Sequence, residues 1–242
     1  SDDVVVAVDR GGNENYQLWR VVLNGGALRE LVVEEGVKHD LGDVSTDGRY
    51  VAFSSTRRNG VDFDVHLLDL LDGTTRIVLE GGWNAVEGFS PDGRWLTVGR
   101  LDGSFAVSGD LLLIDLQTNE VRTVVERSGA GISLGPSWYP DSSGFLFSTD
   151  AARDVAGLAR YEVATASWRY VLDTEWDTEA SLSGEGRCAI GGFAENAGPG
   201  QQPGRGSAAR LMGAVQLGDT RPGVHRPVVR GPQPPRVRRT AR

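Results

Sequence analysis

Cysteine, methionine and lysine are each used once in the 242 residues, as Cys188, Met212 and Lys38. A single Cys excludes an internal disulfide, and no zinc-type Cys/His spacing occurs. Cys188, in Arg187-Cys188-Ala189-Ile190, reads as a small core residue and not as a nucleophile. No apolar run reaches the ~18 residues that a membrane-crossing helix needs, so no membrane association is expected. Aromatic residues stop at Phe193, although 6 Trp, 5 Tyr and 7 Phe precede or occupy that position. The last 48 positions instead hold seven of the 10 Pro, and nine Arg against Glu195 and Asp219. The net charge of −8 therefore divides into +7 over 195–242 and −15 over 1–194. The chain opens Ser1-Asp2-Asp3 directly into Val4-Val5-Val6-Ala7-Val8. That opening is expected of a cut or processed chain, so a missing signal peptide carries little weight, and a cytoplasmic location is the default expectation.

What the chain does have is a repeated turn. Phe89-Ser90-Pro91-Asp92-Gly93-Arg94-Trp95-Leu96 is written in turn chemistry: Pro91 presets φ, Asp92 bonds back to the backbone, and Gly93 takes the left-handed conformation before a strand restarts. The same phrase stands at Val44-Ser45-Thr46-Asp47-Gly48-Arg49-Tyr50-Val51 and at Trp138-Tyr139-Pro140-Asp141-Ser142-Ser143-Gly144-Phe145. A weaker copy is Leu182-Ser183-Gly184-Glu185-Gly186-Arg187. Asp47, Asp92, Asp141 and Glu185 are spaced by 45, 49 and 44 residues. A period of ~40–50 residues with four short strands per repeat predicts propeller blades.

Taken in order, residues 4–35 predict three strands of a blade whose first strand is missing. Blades follow at about 39–81, 83–128 and 135–174, and another starts over 176–193. Asn59-Gly60 and Asp72-Gly73 mark hairpins. Strands such as Tyr50-Val51-Ala52-Phe53 are nearly continuous in apolar residues, as expected when neighbouring blades cover both faces. Leu101 to Gly109 is expected to be an exposed loop. The fold class expected is all-β: a partial β-propeller of about four four-stranded antiparallel blades over 1–193, with a disordered tail over 194–242. Pro-Arg-Gly composition buries too little apolar area to offset ordering entropy, and no strand or helix period is read there. One reading of that tail is a basic arm for nucleic acid or an acidic partner. It lacks aromatics for base stacking, so no nucleic acid partner is expected. The other reading is translation out of frame in GC-rich sequence, favoured because the blade stops in mid-repeat and because 24 of the 25 basic residues are Arg.

With these repeats laid out, the chain resembles the N-terminal β-propeller of the prolyl oligopeptidase family of serine peptidases. The residues that carry the likeness are Val44 to Ser55 and Asp64-Val65-His66-Leu67-Leu68-Asp69-Leu70, then Gly88 to Leu96 and Gly157-Leu158-Ala159-Arg160-Tyr161. The likeness covers roughly 4–190. The blades also resemble those of TolB-like proteins, while Gly144 to Asp150 is similar to bacterial acyl-peptide-hydrolysing members. The peptidase resemblance implies a propeller without catalytic residues that gates an α/β-hydrolase domain, itself absent from this chain, and admits small peptides. It also implies a parent of about seven or eight blades, so these blades are not expected to close. The chain itself is then inactive, with no cofactor, and is expected to self-associate through exposed blade faces. The TolB resemblance implies instead a scaffold for protein partners.

Few residues invite a chemical reading. Gly131-Ile132-Ser133-Leu134-Gly135 satisfies the G-x-S-x-G pattern, but that elbow needs a helix directly after it, and Pro136 and Pro140 forbid one. Asp62, Asp64 and His66 alternate along a strand and share a face, as a metal site would require; solvated strand charges are the expected explanation, and His39-Asp40 near Asp43 is read alike. Trp83, Trp95, Trp138, Trp168 and Trp176 are expected to pack between blades. Arg57-Arg58 beside Asn59-Gly60 suits a peptide carboxylate but is expected to be a plain exposed hairpin tip. No catalytic, cofactor-binding or metal-binding residue is assigned.

Overall fold

A computed structural model describes residues 3–101, 109–126, 133–172, 177–183, 188–194 and 210–216. Every regular element among them is a strand. The first sheet holds β1 (Asp3–Val8), β2 (Gln17–Val22) and β3 (Ala27–Val32). Three four-stranded sheets follow. They comprise β4 (His39–Val44), β5 (Tyr50–Ser55), β6 (Asp64–Asp69) and β7 (Thr75–Leu79); β8 (Trp83–Phe89), β9 (Trp95–Leu101), β10 (Gly109–Asp115) and β11 (Val121–Val125); then β12 (Ser133–Trp138), β13 (Gly144–Thr149), β14 (Gly157–Glu162) and β15 (Ser167–Leu172). The last sheet holds β16 (Asp177–Leu182), β17 (Cys188–Ala194) and β18 (Arg210–Gln216). Each strand pairs antiparallel with its sequence neighbour, giving successive blades of a partial, unclosed β-propeller.

The repeat is visible in the registers. The third strand of each complete blade slips at the same place, at Val65/His66, Leu111/Leu112 and Leu158/Ala159. β2 slips likewise at Leu18/Trp19. β2 therefore has the register of a third strand, which makes β1 to β3 the counterparts of strands two to four in the complete blades. First strands carry their own bulges, at Leu41/Asp43, Val86/Gly88 and Leu134/Ser137. β5, β6 and β13 are buried along nearly their whole length because both faces meet neighbouring blades. The first interface is the smallest of the three leading ones. Leu18, Val32, Val51, Phe53 and Leu68 are its five fully buried members, against nine in each of the next two.

The turn motif is one hydrogen-bonded unit, copied. Ser45 Oγ donates to Asp47 Oδ1 (2.6 Å) and accepts from Tyr50 N–H (2.8 Å); Ser90 Oγ does the same with Asp92 (2.5 Å) and Trp95 (2.9 Å). Arg49 and Arg94 then reach Asp69 and Asp115 at the ends of the third strands (2.8 and 2.7 Å). Their guanidinium groups also lie 4.9 and 4.8 Å from the Tyr50 and Trp95 ring centres.

The first strands β8, from Trp83, and β12, from Ser133, run through polar residues and Pro136 because a bulge lets the strand continue. Within 194–242, Arg210–Gln216 pairs with Cys188–Ala194 as β18. Leu211-Met212-Gly213-Ala214-Val215 is the local apolar run that permits it. The expected loop at 102–108, between Leu101 and Gly109, lies outside the described residues.

Candidate functional site

The links between blades and the hairpins joining second to third strands share one end of the sheets. Thr56 N–H donates to Lys38 O (3.0 Å), and Phe63 N–H donates to Gly82 O (2.9 Å). The chemistry-bearing residues singled out in the sequence collect at this end, between the first three blades.

Gly81 and Gly82 both have left-handed φ (76° and 77°), which turns the link so that Trp83 stands outward. Its ring stacks on Phe63 at 5.6 Å and 13°, and 46% of the residue is exposed. Asn84 fixes the base: its Nδ2 donates to Phe63 O (2.8 Å) and Gly81 O (2.9 Å), while its Oδ1 accepts from Arg100 Nε (3.0 Å). Val61, two residues before Phe63 on the hairpin, is 76% exposed. Trp83 thus packs across a blade boundary, on Phe63 of the preceding blade, but unlike the other described tryptophans it stays largely exposed. Trp95 is buried, and Trp138 and Trp168 pack against the same core, while Trp176 lies outside the described residues. The Gly-Gly step before Trp83 is the one sequence signal that separates it from the others.

Asp62 and Asp64 are not simply solvated. Arg58 bridges them, at 2.8 Å to Asp62 and 2.6 Å to Asp64, and Gly81 N–H donates to Asp64 Oδ1 (2.7 Å). Asp64 is fully buried. Burial pushes its pKa up, but the Arg58 and Gly81 hydrogen bonds outweigh that and hold it below the usual range. Asp62 is lowered by hydrogen bonds from Asn59 and Arg58. These bonds pull the hairpin onto the next interblade link, so Arg58 is a cross-brace and not a plain tip. Arg57 likewise pairs with Glu34 of the preceding link. Among the described residues no group of three or more His, Cys, Asp or Glu side chains is arranged to hold a metal.

His66 shares a face of β6 with Asp64 but is taken up by ring packing and not by a ligand cluster. Its ring stacks on Phe53 (5.2 Å, 15°), and His39 meets the same Phe53 edge-on (5.7 Å, 78°). His39 Nδ1 bonds Ser55 Oγ (2.9 Å). Asp43, expected near His39, instead accepts from Phe89 N–H of the next blade (2.9 Å). Asp40 is exposed in β4, yet surrounding protein raises its carboxyl pKa; Glu87, at the bulge of β8, is raised by the same burial.

Ser133 opens β12 and pairs with Thr149, so its residue leads into a strand and not the helix of a nucleophile elbow. Gly131 and Ile132 lie outside the described residues. Cys188 opens β17.

No family model matches the chain, and no curated protein does. Solved structures do. TolB from Acinetobacter baumannii superposes with a TM-score of 0.59 at 18% identity, over 81% of this chain and 48% of that one. A structure from a study of two prolyl endopeptidases gives 0.63 at 15% identity, over 80% and 30%. An oligogalacturonate lyase in complex with manganese gives 0.60 at 14% identity, over 79% and 56%. The chain spans about half the length of that TolB protein and less of the peptidase. At such identities the likeness is one of fold alone, that of β-propeller blades.

Proposed function

We propose that these blades form part of a protein-binding scaffold of the TolB-like kind, gripping a partner segment at the Trp83–Phe63 platform. The observation that carries this is a large aromatic ring held rigid by Phe63 and Asn84 while nearly half exposed. Rigid aromatic anchors are what protein interfaces use, because they supply contact area at little entropic cost. The charged residues nearby serve as braces between links and hairpins, which supports a role in recognition instead of chemistry.

The test is selection of peptides from a displayed library on the whole chain, followed by binding to Trp83→Ala and Val61→Asp. Loss of about tenfold or more in affinity on Trp83→Ala is expected, since an anchor of this kind carries ~2 kcal/mol or more. Equal affinity for both variants and the parent chain would sink the reading.

A second reading is supported by the peptidase superposition: the blades gate a separate hydrolase domain and admit small peptides. It expects the encoding DNA to run on, in some frame beyond the codon for Phe193, into further blades and a hydrolase with Ser, Asp and His. Either way, a fluorophosphonate probe is expected to leave this chain unlabelled, and modification of Ser133 would overturn both.

A further inference from the structure

We propose that the interface between the β1–β3 blade and the β4–β7 blade is an acid-released joint, opened when His39 and His66 take up protons on either side of Phe53. Both histidines are buried at this interface, at 0% and 2% exposure. Their Nε2 atoms are both buried without a hydrogen-bond partner. A neutral ring packed against Phe53 leaves one polar atom unpaired but buries no charge. A proton on Nε2 creates a buried donor and a buried charge together, and neither has anywhere to go.

The charges that face the pair come from every neighbouring element. Glu34, on the link after β3, acts on both rings and favours protonation; Arg57, on the hairpin after β5, acts on both and opposes it. Asp64, in β6, favours a charged His66, but Arg58 already holds its carboxylate. Glu34 is likewise taken by Arg57. Each unit of protonation at one histidine also opposes the other, because His66 lowers His39. Burial leads these effects and pushes His39 down to about 4, with His66 lowered in the same sense.

The sign follows from that depression. An unfolded or released histidine binds its proton near pH 6.5, above the value in the closed joint, so release is favoured as pH falls. The joint is fully stable above about pH 6.5 and weakens progressively toward about pH 4. It gives way before the two interfaces that follow it because its buried core is smaller than theirs and it has few ties beyond that core. These are His39 N–H to Tyr16 O (3.2 Å), Gln17 Nε2 to Val37 O (2.9 Å), Glu34 N–H to Gln17 Oε1 (2.6 Å), and the Arg57–Glu34 pair.

Hydrogen exchange on the whole chain, corrected for intrinsic rates, tests this at pH 7 and pH 4.5. The β1–β3 amides are expected to exchange at least about tenfold faster at the lower pH, since one unit of pKa depression is a factor of ten, while β9, β10, β13 and β14 hold. His39→Gln with His66→Gln is expected to abolish the difference. Uniform loss across all blades, or an unchanged pH response in the double variant, overturns the proposal. Should the double variant not fold, NMR titration of the two ring resonances in the parent chain decides: pKa values near 6.5 for both would equally overturn it.

Discussion

At the scale of single residues, the fold turns on positions where a side chain would not fit or where one already does a job. Gly42 sits in the bulge of β4, where an added Cβ would collide with Val86 Cβ and lie 2.9 Å from Ala52 O. Gly42→Ala is expected to lower stability by ~1–3 kcal/mol through overpacking, read as a lower urea midpoint with unchanged m-value. Gly48 differs: φ is +70° but nothing lies within 4 Å of an added Cβ. Gly48→Ala should therefore cost only the left-handed penalty of ~1–2 kcal/mol. Equal and negligible effects at both sites would show that the bulge yields. Gly48 was legible in the sequence because its constraint is local, set by the Asp47-Gly48 turn. Gly42 was not, since its neighbour Val86 is 44 positions away and nothing in Leu41-Gly42-Asp43 announces it.

At the scale of the element, the turn unit explains why the repeat could be read at all. Ser90 is fully buried, and its hydroxyl is both the donor to Asp92 and the acceptor for Trp95 N–H. Ser90→Ala leaves that amide unpaired in the interior, at an expected cost of ~1–3 kcal/mol, and Ser45→Ala should act alike in the preceding blade. Thermal unfolding of the two variants checks this; a loss in one blade only would mean that the copies are not equivalent. The third blade replaces the serine by Tyr139 and the arginine by Ser143, yet keeps the turn's backbone bonds, with Tyr139 N–H donating to Gly144 O and Ser142 N–H to Tyr139 O (both 2.9 Å). Spacing and turn residues survive substitution because the backbone needs them. The first strands were harder to delimit because their stability comes from other blades: Asp43 to Phe89, Ser142 to Asp92, and Ser137 to Leu182. Those bonds span 46, 50 and 45 residues, which no local pattern encodes. The platform at Trp83 escaped for the same reason. Its partner, Phe63, lies on the previous blade, and a tryptophan at a blade boundary looks from sequence like its buried counterparts.

At the scale of the whole molecule, the decisive feature is where the sheets stop pairing. Among the described residues β1 is hydrogen-bonded only to β2, so one row of its N–H and C=O groups has no strand opposite. In the complete blades that place is filled by β4, β8 or β12. β1 is Asp3-Val4-Val5-Val6-Ala7-Val8, with Val4 42% and Val8 40% exposed, and it carries neither Lys nor Pro to blunt the edge. A Val-rich edge of this kind templates a strand from another chain. The net charge of −8 opposes close approach, but screening at about 8–10 Å leaves contacts at a single edge little affected. The chain as given is therefore expected to self-associate as concentration rises, and added salt should leave the association in place or strengthen it. Val4→Lys with Val8→Lys places a cation at each end of the edge, where desolvating it against a second strand is costly. Sedimentation velocity is expected to show the parent chain's distribution moving to larger species with concentration and the double variant staying monomeric. If both sediment as the same monomer across the range, the β1 edge is not an assembly surface, and the two exposed valines are ordinary surface residues.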